Sequence, residues 1–136
     1  MEIRSIVNPE VVLGIVFGKA GLKPGLDFLT GISEPIQVAT FRYDKGKELK
    51  AHRHIERKRE VIRTQEVLIV LSGRVLLDVY DSDDHINCFV ELFSGDGFIS
   101  LNGGVGYKVL AHDTQMIEVK VGPYEVNSDE EDRKRL

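Results

Sequence analysis

The sequence holds a single cysteine, Cys88, which excludes an internal disulfide framework and any zinc site built on several thiolates. One thiol also suits a reducing compartment. Long apolar runs are missing too. The longest, Val67 to Leu71, is far short of the ~20 residues that a membrane helix needs. The opening Met1-Glu2-Ile3-Arg4 lacks the basic stretch and apolar run of a secretion signal, so a cytoplasmic location is expected. Excess positive charge is absent as well. Eighteen Lys and Arg stand against 22 Asp and Glu, a net charge of −4, which disfavours a general nucleic-acid-binding face. With 136 residues, 42% hydrophobic and 29% charged, the chain has the makings of one globular domain.

What is present is a succession of short β-branched and aromatic runs broken by turn residues. The runs are Ile36–Tyr43, Glu48–His54, Val61–Leu71, Arg74–Tyr80, Ile86–Phe93, Gly97–Leu101, Val105–Leu110 and Gln115–Val121. Between them fall Asp44-Lys45-Gly46, Ser72-Gly73, Asp81 to Asp84, Ser94-Gly95-Asp96, Asn102-Gly103-Gly104 and His112-Asp113. Glycine permits positive φ at such breaks, and Asp or Asn holds the bend by bonding its own backbone. Eight strands without crossover helices predict an all-β fold, an antiparallel sandwich or barrel.

Residues 1–35 read less clearly. Asn8-Pro9-Glu10 resembles a helix start, with Asn8 as N-cap. Yet Val11, Val12, Ile15 and Val16 are β-branched and Gly14 lies among them, which favours a strand nearly as well. Either form is apolar enough to cover a sheet edge or another subunit. The expected division is therefore an extension over 1–35, a β domain over 36–126 and a charged, solvated tail over 127–136.

Chemistry concentrates between Gly46 and Gly73. His52 and His54 are one residue apart in an expected strand, so both imidazoles project to one face with backbones about 7 Å apart. Two such rings can converge on one ion at about 2.0–2.1 Å each. Glu56 shares their parity but lies roughly 13 Å along the strand from His52. Glu66 is the better third ligand. It opens the run Glu66-Val67-Leu68-Ile69-Val70-Leu71, where an isolated buried carboxylate would be costly unless paired, protonated or bound to metal. The structural alternative is pairing of Glu66 with Arg63 or Arg74, with the histidines as surface or hydrogen-bonded groups.

Gly46, five residues, His52-Arg53-His54, then Glu66, six residues, Gly73 resembles the first signature motif of the cupin superfamily. The interval from His54 to Glu66 is eleven residues, where that motif has three or four, which lengthens the hairpin between the ligand strands. Gly95 to Tyr107 is similar to the second cupin motif, with Asn102-Gly103-Gly104 at its turn and Val105, or by a shifted alignment Tyr107, at its usual histidine. The resemblance covers roughly Ile36 to Val121. It implies a double-stranded β-helix, a jelly-roll-like barrel with a central pocket. It also implies His52, His54 and Glu66 as ligands of a divalent transition metal: iron, manganese, nickel or zinc. Two His and one carboxylate with open positions would suit ferrous chemistry; a weakened site would leave a barrel that binds ligand without metal. His112 could complete the site only if the strand from Val105 bends near Ala111.

Other residues are candidates for the pocket wall. Val105 and Tyr107 share a face by the period of two, as do Glu118 and Lys120 in an otherwise apolar strand. Val105, Tyr107 and Glu118 are taken to line the pocket, while for Lys120 solvent is the commoner destination. Arg57, Arg59 and Arg63, with Arg53 and Lys58, form a basic cluster that is either a solvated hairpin or a rim attracting an anionic substrate. No aromatic interleaving accompanies it, so nucleic acid is not expected. His85 reads as part of a polar hairpin end and Cys88 as packing. The functional expectation is a metal-binding cupin for a small, anionic molecule, sugar- or carboxylate-related. Its rival is a non-catalytic ligand-binding or sensing module. Either is expected to be a homodimer, with the apolar N-terminal segment covering a sheet edge across a two-fold axis.

Overall fold

The computed structural model describes residues 1–122 and 135–136. Its strands are β1 (Glu2–Arg4), β2 (Val12–Gly18), β3 (Gly25–Phe28), β4 (Ala39–Arg42), β5 (Glu66–Ser72), β6 (Arg74–Tyr80), β7 (Ile86–Phe93), β8 (Asp96–Ser100), β9 (Gly104–Val109) and β10 (Gln115–Lys120). All pairing is antiparallel, in a five-stranded sheet β1-β2-β8-β5-β10, a three-stranded sheet β7-β6-β9 and the pair β3-β4. The described residues contain no α-helix, and no helix is long and apolar enough to cross a membrane.

Alternation along each strand builds three layers. On β5, Leu68 and Val70 face the three-stranded sheet and meet Val75, Leu77, Val79 and Leu92 in the main core. Their neighbours Val67 and Ile69 face the other way, against Leu29, Ile36 and Val38 beside β3-β4. Both faces of β5 are therefore covered from Val67 to Val70, which explains its nearly continuous apolar run. Phe98 of β8 lies over Gly14 of β2, where a Cβ would collide with the ring. That contact accounts for a glycine in the middle of an apolar strand. From β5 onward the chain passes between the two larger sheets. It turns at Gly73 (φ +83), where an added Cβ would strike Thr114.

Strands β6 and β7 coincide with the predicted runs, and β8, β9 and β10 with theirs to within a residue. Two expectations are corrected. Glu48–His54 is not a strand: residues 43–65 have no regular secondary structure. Its one large apolar side chain, Leu49, is more than half exposed, so alternation alone could not make it a strand. Residues 1–35 are not one extension: β1 and β2 join the five-stranded sheet, β2 pairing with β8 along Gly14–Gly18, while β3 pairs with β4. Asn8 starts a turn: Val11 N–H donates to its carbonyl (2.9 Å) and Glu10 N–H to its Oδ1 (3.2 Å). The expected charged tail, 127–136, falls outside the described residues except for Arg135 and Leu136.

Candidate functional site

The inward rows of the sandwich change character at one end. On β5 the row Val70, Leu68 continues to Glu66; on β8, Phe98 continues to Ser100, which lies opposite Glu66 in register. On β10, Glu118 lies opposite Leu68 and Lys120 opposite Glu66. On β9, Val105 and Tyr107 oppose Val79 and Leu77, both core residues. Strand parity thus turns Glu66, Ser100, Tyr107, Glu118 and Lys120 into the space between the sheets. They line a cavity of about 910 Å³ that Val105, Tyr80 and the turn Gly103-Gly104 also border. A Cβ at Gly103 (φ +74) would run into the Tyr80 carbonyl, so this wall requires glycine.

Tyr107 bridges the sheets, donating its hydroxyl to Glu66 Oε1 at 2.6 Å. Burial, the hydrogen bond to Glu66 and the negative charges of Glu66 and Glu118 all push the Tyr107 phenol up. It is accordingly a neutral donor and not a phenolate across the physiological range. Lys120 Nζ sits 3.7 Å from Glu118 Oε2. The wall so presents carboxylate acceptors, an ammonium and a phenol side by side, with an aromatic ring from Tyr80. It can hold a polar ligand by several directed bonds while stacking an apolar face on a ring.

A second acid borders the cavity in a different role. Asp81, 4% exposed, receives the Ser5 hydroxyl (2.6 Å), Ile6 N–H (2.7 Å), Ser82 N–H (2.8 Å) and Asn87 Nδ2 (3.1 Å). Burial disfavours its charge, yet the donors from Ser5, Ser82, Ile6 and Asn87 outweigh it and hold the carboxyl well below the usual range. It ties the segment after β1 to the β6–β7 turn.

The sequence-expected ligands are not gathered. The His52 and His54 rings stand edge to face, 5.3 Å between centroids, on the exposed stretch 43–64. Glu66 is engaged with Tyr107, and among the described residues no three His, Cys, Asp or Glu side chains are grouped to hold a metal ion. As placed, these residues do not fit the implied metal. Arg74 pairs with Glu91 (3.0 Å), and Arg63 donates to Asn102 Oδ1 (2.6 Å) and lies 3.9 Å from Glu34, so neither neutralises Glu66. Arg57 and Arg59 are exposed, and neither they nor Arg63 is among the residues lining the cavity. Val105, Tyr107 and Glu118 all border it. Ser100, Tyr80 and Lys120 join them. Lys120 carried a usable signal, the parity it shares with Glu118; Ser100 and Tyr80 carried none. His85 Nδ1 contacts the Asp83 carbonyl (3.0 Å) at a hairpin end, and burial pushes the Cys88 thiol up, away from thiolate chemistry. Comparison with protein-family models, curated proteins and solved structures finds no match to this chain.

Proposed function

We propose that this protein is a small-molecule-binding module of the cupin type, with a jelly-roll-like barrel architecture, and that its ligand is a neutral, hydroxyl-rich molecule of the sugar or polyol class. The carrying observation is the end of the sandwich where an apolar interior gives way to Glu66, Ser100, Tyr107, Glu118 and Lys120 around one cavity. Interior-facing polar residues are costly unless they serve one another or a ligand. The passage of the chain between two sheets after β5 supports the architecture. Glu66 and Glu118 each offer acceptors that vicinal hydroxyls can share, Tyr107 and Lys120 donate, and Tyr80 gives a ring for the apolar face of a sugar. Four carboxylates on the wall, Glu66, Asp81, Asp84 and Glu118, against two cations, Lys120 and Arg135, disfavour the anionic ligand that the sequence suggested.

Thermal melting with millimolar D-glucose, D-ribose and glycerol tests the reading, with inorganic phosphate and citrate as anionic probes. A neutral probe is expected to raise the melting temperature by mass action, and Glu66→Gln or Glu118→Gln to abolish the rise. Stabilisation by phosphate or citrate alone, or by none of the probes, overturns it.

The metal-dependent reading draws support from the adjacency of His52 and His54. It requires segment 43–65 to bring both imidazoles to Glu66. Its test is metal content of protein purified without chelator: stoichiometric metal lost in both His52→Ala and Glu66→Gln supports it, and metal-free protein removes it.

A further inference from the structure

The outer layer turns an apolar face to solvent. Beside β3-β4, Leu29 and Val38 pack inward with Val67 and Ile99 of the five-stranded sheet. Alternation then turns Leu26, Phe28 and Phe41 outward, where they are 48%, 59% and 55% exposed. Leu26 stands opposite Phe41 in register, with Phe28 two residues along the same face. Tyr43 extends the row, its ring centroid 6.3 Å from that of Phe41, and Lys47 Nζ lies over the tyrosine at 5.6 Å. This face belongs to the layer on the far side of the five-stranded sheet from the cavity, so it is independent of what the cavity binds.

Positive charge gathers next to it. Residues 42–63 hold nine Lys and Arg against four Asp and Glu, while the rest of the chain holds nine against 18. Every residue from 41 to 64 is exposed. The stretch leaves the outer layer at Arg42 of β4 and is tied back to it at Gln65, whose side chain accepts from Ile36 N–H (3.0 Å). Among its cations stand Ile55 and Ile62, 77% and 88% exposed. Large apolar side chains clustered in water mark a contact surface.

We propose that the outward face of β3-β4 and the stretch 43–64 together bind the surface of a phospholipid bilayer that carries anionic headgroups. Charge complementarity selects this occupant. A second copy docked face to face about a two-fold axis would bring two stretches of the same charge to one interface. A nucleic acid would engage the cations and the rings but has no use for Leu26, Ile55 and Ile62. An acidic bilayer takes both kinds of group: headgroups attract the ammonium and guanidinium groups, and the margin of the hydrocarbon receives the apolar side chains. Tyr43, an aromatic body with a polar tip, suits the headgroup level between them. Such a contact lies in the interface and needs no spanning helix.

Co-sedimentation of the full chain with vesicles in about 0.1 M salt tests the proposal. Wild-type protein is expected to pellet with equimolar phosphatidylcholine and phosphatidylserine and to stay in solution with phosphatidylcholine alone. Arg57→Ala with Arg59→Ala should weaken binding about thirtyfold. Phe28→Ser with Phe41→Ser should weaken it about tenfold. If that variant fails to fold, Ile55→Ser with Ile62→Ser decides the same point on a stretch without regular structure. No binding to the anionic vesicles, equal binding to both kinds, or undiminished binding by the apolar variant would overturn the proposal. Tighter binding to polyuridylate than to the anionic vesicles would do so as well, by making the partner a nucleic acid. So would a lipid-free dimer that Phe28→Ser with Phe41→Ser dissolves, since the face would then join two copies of the chain.

Discussion

Asp81 and Glu66 are carboxylates bordering the same cavity, and their surroundings assign them different work. Asp81 is saturated: three side chains and two backbone amides from three stretches of chain converge on it. Among the described residues Glu66 receives one hydroxyl, from Tyr107 across the gap between the sheets. A fully satisfied acid fastens a structure and has little capacity for a ligand. An acid held by one donor keeps lone pairs directed into the cavity. The number of donors, more than depth of burial, separates the anchor from the recognition group.

Removing the anchor should have the largest effect. Asp81→Ala leaves the Ser5, Ile6 and Asn87 donors without their acceptor and is expected to cost about 3 kcal/mol in denaturant unfolding. The Asp81 carboxyl titrates lower folded than unfolded, so its contribution is whole above about pH 4 and drains as pH falls toward the depressed folded value. Asp81→Asn should therefore flatten the acid limb of the stability profile; an unchanged limb would show that another group sets it. Tyr107 has the opposite sign. Its raised folded pKa leaves its contribution intact below about pH 10 and lost as pH climbs through the folded value, a limb that Tyr107→Phe should abolish.

The bridge itself should be worth less than the anchor. A double-mutant cycle of Glu66→Gln and Tyr107→Phe is expected to give a coupling of about 1 kcal/mol, because the pair is partly open to water. Coupling as large as the Asp81 effect would make Glu66 a second anchor and erase the contrast. The smallest effect belongs to the basic segment: Arg57→Ala with Arg59→Ala should leave stability within about 0.5 kcal/mol of wild type.

How much of this was legible in the sequence depends on whether a residue's partners are local. Strands β6 and β7 follow from alternation bounded by Gly73, Asp81–His85 and Ser94-Gly95, all short-range signals. Tyr107 and Glu118 were reachable as pocket candidates because parity alone puts them with Val105 and Lys120. Segment 43–65 defeated the same logic. His52 and His54 alternate as a strand would, but a strand also needs a neighbour to pair with, and none of the described strands supplies one there. The partner of Glu66 was out of reach as well, since Tyr107 lies 41 positions away and meets it through the stacking of two sheets. The cupin resemblance assigned that carboxylate to the histidines; the fold gives it to the phenol.

Gln65 precedes Glu66 and points to the opposite side of the sheet. Fully buried, it accepts from Ile36 N–H (3.0 Å) and donates to Glu34 Oε2 (2.6 Å), clasping the outer layer where the long basic stretch rejoins the β core. One peptide bond therefore links the tether of that stretch to the carboxylate of the binding chamber. Traction on the stretch, by a crosslink or a docked macromolecule, would reach the chamber wall with no flexible linker in between to absorb it.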